Sequence, residues 1–274
     1  MLGLALAAFV AHAFACGGPR GTAPMVASVG GRDDGSPPEA GGSPTEADGM
    51  VAQAAEAGRD AAAHPVTPAV EARVAGLLAQ MTLDEKVGQM VMVDYGALAS
   101  LDDITTYFLG GLLPSGDEAP ANNTPQAWLD LTNSFRPKAS ATRLGIPLIV
   151  GIDAVHGNAK VAGATVFPHD IGLGCTRDPA LVTSVEQAAA AEVTALGFTM
   201  VFSPDSDVGQ DERWGRTYES FGEDPALASQ MVSAAMTGYQ GPVSGAPASL
   251  LACPKHCLGA GGTSWGTGVM GGID

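Results

Sequence analysis

Residues 146–155 read Ile-Pro-Leu-Ile-Val-Gly-Ile-Asp-Ala-Val, an almost unbroken apolar run that meets a carboxylate at Asp153. An apolar run without polar alternation suits a strand covered on both faces, as in a parallel sheet. The plan repeats at residues 198–208 (FTMVFSPDSDV) and 249–259 (SLLACPKHCLG). Upstream, residues 87–95 (VGQMVMVDY) read as a buried strand, and residues 109–116 (LGGLLPSG) as a shorter one ending in a turn. Helix signals fall between these runs. Thr124-Pro125, Asp178-Pro179 and Asp224-Pro225 each set an N-cap oxygen before a proline at the first helical position. Helical apolar spacing follows each: Trp128, Leu131, Phe135; Leu181, Val185, Ala188; Leu227, Met231, Ala235. Gly197 and Gly241 fall where such helices end. Further upstream, Val74, Leu77, Leu78 and Met81 share one helical face, and Thr82 with Glu85 predicts a capping box. Strand alternating with helix is the α/β pattern. About five strands are legible, fewer than the eight that close a barrel. No G-x-G-x-x-G opens a helix after a strand, so a dinucleotide fold has no motif behind it.

The 274 residues carry a formal charge of −16. That balance argues against nucleic acid, which needs a basic face, and disfavours an anionic membrane surface. A neutral ligand is compatible with it. Residues 1–16 read as an export signal, with an apolar run from 2 to 14 and small residues before Cys16. Ala13-Phe14-Ala15-Cys16 resembles a lipoprotein cleavage site, so Cys16 is a candidate lipid anchor; plain signal cleavage is the alternative. Residues 17–65 are rich in Gly, Pro, Ala and acidic residues and read as a disordered tether. The folded portion is expected over 66–274.

Chemistry-bearing side chains gather where the apolar runs end. Asp153 and His156 follow one run; Asp205, Asp207 and Asp211 follow another and lead into Arg213-Trp214-Gly215-Arg216; Lys255 and His256 end the last. In parallel α/β folds the strand exits on one face surround the site. Carboxylates beside Lys and Arg suit a polyhydroxylated ligand, because charge-assisted hydrogen bonds offset lost hydration. An ion-pair network that merely supports the fold reads equally well from the same residues. Lys255 and His256, as strand neighbours, point to opposite faces unless the backbone bends, for which Pro254 and the following glycines provide. Cys253 and Cys257 lie about 13 Å apart in an extended strand, too far for a disulfide, and read as two buried thiols. They bracket His256, yet no second cluster completes a metal site, so no metal or other cofactor is expected.

These motifs carry a resemblance. MTLDEKVGQM (81–90), IPLIVGIDAVHGNAKVAGATVFPHDIGLGCTRDP (146–179), DERWGRTYESFGED (211–224) and KHCLGAGGT (255–263), in this order, resemble glycoside hydrolase family 3 of the β-glucosidase or β-glucan exohydrolase type. The resemblance implies a (β/α)₈ barrel, here incomplete, followed by a second α/β domain. It also implies retaining, exo-acting hydrolysis of β-glucosides or β-linked gluco-oligosaccharides. By the resemblance Asp153, Arg216, Lys255 and His256 bind sugar, Arg213 and Glu219 support them, and Asp205, Asp207, His156 and His169 are structural. Retaining hydrolysis needs a nucleophile and an acid/base. The family's nucleophile lies in a later Ser-Asp-Trp-like motif and its acid/base beyond that. No catalytic residue is therefore assigned, and the chain alone is expected to be inactive. A degenerate, non-catalytic sugar-binding protein is the alternative. Ala260 stands where the family usually has Asp, Cys257 where an aromatic is common, and Gln210 where Arg is frequent. Nothing in the sequence sets an oligomeric state.

Overall fold

The three Pro-started helices begin where their caps require. In this computed structural model, which describes residues 67–114, 119–241, 249–257 and 259–262, the Thr124 hydroxyl accepts from the Ala127 N–H. Asp178 accepts from Ala180 and Leu181, and Asp224 from Ala226. The export signal, Cys16 and the tether lie outside the described residues.

In chain order the elements are α1 (Pro68–Gln80), α2 (Leu83–Gln89), β1 (Met92–Asp94), α3 (Asp103–Thr106), β2 (Gly111–Leu113), α4 (Pro125–Ser140) and β3 (Ile149–Ile152). Then come α5 (Asp170–Thr176), α6 (Pro179–Ala195), β4 (Met200–Val201), α7 (Pro225–Gln240) and β5 (Leu251–Ala252). Short 3₁₀ turns occur at Thr217–Glu219 and Ala260–Gly262, among others.

The five strands form one open sheet in the order β1-β2-β3-β4-β5, every pair parallel. Strand order that follows chain order without reversal is the barrel-type winding; a doubly wound sheet reverses. The α/β expectation of an incomplete barrel holds. All strand exits therefore lie on one face, ending near Asp94, Leu113, Asp153, Phe202 and Cys253.

Packing follows the apolar faces. Trp128 of α4 meets Phe198 with ring centroids 5.9 Å apart. Val182 and Val185 of α6 share a buried cluster with Ala228, Met231 and Ala235 of α7, closed by Leu173 and Phe221. The helices α6 and α7 approach at Gly238, where a Cβ would stand 2.6 Å from Glu186 Cβ.

Several sequence expectations are corrected. The strand expected over 87–95 is only Met92–Asp94, because α2 continues through Gln89. The Thr82–Glu85 capping box starts that helix, and Arg143 fastens it by donating to both Glu85 oxygens at 2.9 and 2.6 Å. The other apolar runs also give shorter strands than their length implied, and β4 ends before Pro204, which has no N–H for a ladder. Nor are all strands covered on both faces: Leu251 of β5 is 49% exposed, since the sheet does not close over it. Likewise α1 forms as its periodicity predicts but buries none of its residues, leaving Val74 46% and Leu78 48% exposed. Finally, the thiols are not buried: Cys253 is half-buried and Cys257 exposed, and the two are not joined.

Candidate functional site

Parallel pairing continues past the regular ends of β4 and β5 through a bridge between Asp205 and Lys255. The Lys255 N–H donates to Pro204 O at 3.0 Å. This extension carries the loop 253–257 alongside the exit of β4. The Lys255–His256 peptide is cis, and both side chains meet carboxylates of neighbouring strand exits. Lys255 Nζ donates to Asp153 Oδ1 at 2.7 Å, spanning from the exit of β5 to that of β3. His256 Nδ1 lies 2.8 Å from Asp207 Oδ2, on the segment after β4.

Arg216 joins from the 3₁₀ turn that follows β4. Its Nε donates to Glu219 Oε1 at 2.8 Å and its Nη2 to the other oxygen, a two-point pairing. Its Nη1 lies 3.0 Å from His256 Nε2. Burial pushes the Glu219 carboxyl up, but the Arg216 pair outweighs it and holds the acid below its ordinary range. Asp153, Arg216, Lys255, His256 and Glu219 therefore stand together at the exits of β3, β4 and β5. Arg213 is placed differently: it donates to Asp211 at 2.9 and 2.8 Å with its side chain 60% exposed. Asp211 O in turn accepts from Thr217 Oγ1 at 3.0 Å, so Arg213 braces the turn that carries Arg216.

Beneath this cluster the acids are buried. Asp205 is fully buried and accepts from the Asp207 N–H at 2.9 Å; burial, aided by the Asp207 carboxylate, outweighs that N–H bond and Arg216 and pushes it up to about 7. Asp207 accepts from the His256 N–H and the Gly261 N–H, each at 3.2 Å. This gives Asp207 the task of orienting the Lys-His loop. Deeper, burial pushes Glu186 up to about 8 and Asp170 well above its usual value. At the rim, His156 and His169 stack with centroids 3.9 Å apart, and Tyr218 sets its edge on His169 at 4.7 Å. Burial, reinforced by His156, lowers the pKa of His169.

Sequence reasoning found the residues that meet, but it read Asp207 as structural and did not see that Asp207 holds His256. The two are 49 residues apart. The only signal in the sequence was that each follows its own apolar run by the same few residues, which places both at adjacent strand exits.

The fold is thus an incomplete parallel barrel with carboxylates, Arg, Lys and His converging at its strand exits. The chain belongs to glycosyl hydrolase family 3: residues 82–273 match the family's N-terminal domain. It is 36% identical over 189 residues to the lysosomal beta glucosidase of Dictyostelium discoideum, covering 61% of this chain and 22% of that protein. It is 32% identical over 204 residues to the periplasmic beta-glucosidase of Salmonella typhimurium, covering 74% of this chain and 25% of that one. Among solved structures, the exo-1,3/1,4-beta-glucanase of a Pseudoalteromonas species superposes with a TM-score of 0.68 at 40% identity, covering 73% of this chain and 26% of that chain. A mutant beta-glucosidase of Listeria innocua, solved in complex with laminaribiose, superposes with a TM-score of 0.57 at 30% identity, over 70% of this chain and 27% of that one. The chain thus spans roughly a quarter of the length of these relatives.

Proposed function

We propose that this chain supplies the sugar-holding half of an exo-acting, retaining β-glucosidase. In this reading Asp153, Lys255 and Arg216 bind one glucose ring of a β-glucoside or β-linked gluco-oligosaccharide, and Glu219 and Arg213 support them. The observation that carries it is the Lys255–Asp153 pair, 2.7 Å across the exits of β5 and β3, with Arg216 reaching His256, the neighbour of Lys255, at 3.0 Å. Neighbouring sugar hydroxyls are donor and acceptor at once, so a carboxylate and an ammonium side by side hold a vicinal diol from both ends. A carboxylate has two oxygens and an ammonium three N–H groups, so one shared bond exhausts neither.

Holding a ring does not cut it. Retaining hydrolysis needs two carboxyl groups about 5–5.5 Å apart flanking the bond. In this reading neither is assigned among the described residues at the site: Asp153, Glu219 and Asp207 serve to bind or position, paired with Lys255, Arg216 and His256. The chain by itself then binds without turnover. Calorimetry with laminaribiose and an assay with p-nitrophenyl-β-glucoside test both halves together. Binding without release of nitrophenol is the expected result. Hydrolysis by the purified chain that disappears in Asp153→Ala would overturn the division of labour, and absence of any binding would overturn the sugar assignment.

The apolar start of the chain and the periplasmic and lysosomal names of its relatives support export, and the small residues before Cys16 support cleavage there. Intact mass of the mature protein decides this: a diacylglyceryl adduct on Cys16 supports the lipid anchor, cleavage without an adduct favours plain export, and an uncleaved N-terminus would contradict both.

A further inference from the structure

The His256 ring is held between two side chains of opposite charge, and their chemistry fixes where its proton sits. Arg216 Nη1 lies 3.0 Å from Nε2. A guanidinium has only donors, so Nε2 accepts and the ring proton is on Nδ1. There it meets Asp207 Oδ2 at 2.8 Å. Asp207 is almost wholly buried, and the same carboxylate also receives the His256 and Gly261 N–H groups. Asp205 anchors the backbone of Asp207 in turn.

We infer that Asp207 is a positioning residue of the sugar site: it fixes His256 as the Nδ1–H tautomer, so that the bare Nε2 grips Arg216 from the side opposite Glu219. Glu219 takes Nε and Nη2 of the guanidinium, and His256 takes Nη1. The plane of Arg216 is thereby set by two partners before any ligand arrives, which lowers the ordering cost of binding. Asp207 acts through His256 and Arg216 and touches no sugar itself. The inference rests on the proposed reading that Arg216 faces the sugar.

The same atoms also fit a second description. Asp205, Asp207 and His256 offer ligand atoms within 4.8 Å of one another, a spacing that suits a metal ion. A metal on Nδ1 would require that nitrogen bare while Arg216 already requires Nε2 bare, and a neutral imidazole keeps one of the two protonated. The Arg216 guanidinium 4.0 Å from Asp205 opposes a second cation as well. The geometry therefore favours the hydrogen-bond relay.

The test is the side-chain nitrogen spectrum of ¹⁵N-histidine-labelled chain, wild type and Asp207 variants, with glucose binding measured on the same samples. Wild type is expected to show Nδ1 protonated and Nε2 bare at His256. Asp207→Ala, which removes the acceptor and leaves Arg216 alone to select the tautomer, is expected to show a mixed Nδ1–H and Nε2–H population and about a tenfold weaker glucose affinity, the scale of one hydrogen bond. Asp207→Asn, whose oxygen can still face the ring, is expected to keep the tautomer and most of the affinity. A wild-type ring protonated at Nε2 overturns the inference outright, even if no variant folds. So does an Asp207→Ala chain with both tautomer and affinity unchanged. A wild type with the expected tautomer that binds no glucose leaves the Asp207–His256–Arg216 linkage standing and removes the sugar reading instead.

Discussion

Glu186 is a carboxylic acid enclosed between α6 and α7, and burial dominates its protonation. Its pKa rises from the ordinary 4.5 to about 8, with burial as the main cause and a hydrogen bond to Tyr239 only partly offsetting it. The folded pKa lies above the unfolded one, so the fold binds this proton more tightly than the unfolded chain. That contribution to stability is complete below about pH 4.5 and is lost as pH rises through about 8. Asp205 has the same sign, from 3.8 to about 7. Glu85 has the opposite sign: its bonds to Arg143 and to the Thr82 N–H hold it at about 2, a contribution present above pH 4.5 and lost as pH falls toward 2. Urea midpoints measured from about pH 5 to about pH 8 should fall for wild type and fall less steeply for Glu186→Gln. Parallel curves would show that Glu186 is not the group responsible. At the same scale, Asp153→Ala strips Lys255 of its partner and is expected to weaken laminaribiose binding at least tenfold by calorimetry. An unchanged affinity would place the ligand elsewhere.

Among the elements, the helices were the most legible part of the chain and the strands the least. Ser/Thr/Asp caps with proline at the first position are local chemistry, so α4, α6 and α7 begin where the sequence says. The helix α5 escaped notice because Asp170–Thr176 has two glycines and no apolar period, and its cap residue His169 makes no side-chain capping bond. Strand length was overestimated because an apolar run reports burial, not pairing. The Phe202 side chain extends the apolar run at 198–208 by packing against Gly151, where a Cβ would stand 2.6 Å from its ring, although the regular strand ends at Val201. Two glycine substitutions separate helix propensity from packing. Gly76 in α1 has nothing within 4 Å of an added Cβ, so Gly76→Ala should stabilise by about 0.5–1 kcal/mol. Gly238 in α7 faces Glu186 and the Thr183 carbonyl at 2.6 and 2.7 Å, so Gly238→Ala should destabilise by about 1–3 kcal/mol. Urea denaturation of both reads the sign directly, and equal signs would contradict the helix packing described.

For the molecule as a whole, the winding order governs which contacts a single sequence can foretell. Strand-helix alternation pointed to the α/β class, and the exits of β3, β4 and β5 brought Asp153, Arg216, Lys255 and His256 together as their positions after apolar runs implied. The pairings among them, such as Asp207 with His256, come from contacts between distant segments and leave no local pattern. The open sheet also exposes Leu251 on β5, while Leu83, Val87 and Met90 of the α2 region stand largely in solvent. Unpaired strand edges and apolar surface favour self-association, which the −16 charge opposes at low salt. Light scattering across a sodium chloride series should show association rising as that repulsion is screened; a monomer at every salt concentration would mean these surfaces are covered.

The central claim is that side chains from separate strand exits converge on one sugar ring, and glucose titration of the isotopically labelled chain tests it most directly. Chemical-shift changes are expected to concentrate at Asp153, Arg216, Glu219 and Lys255. Changes confined to a distant region such as Glu85 and Arg143, or no changes at all, would contradict it.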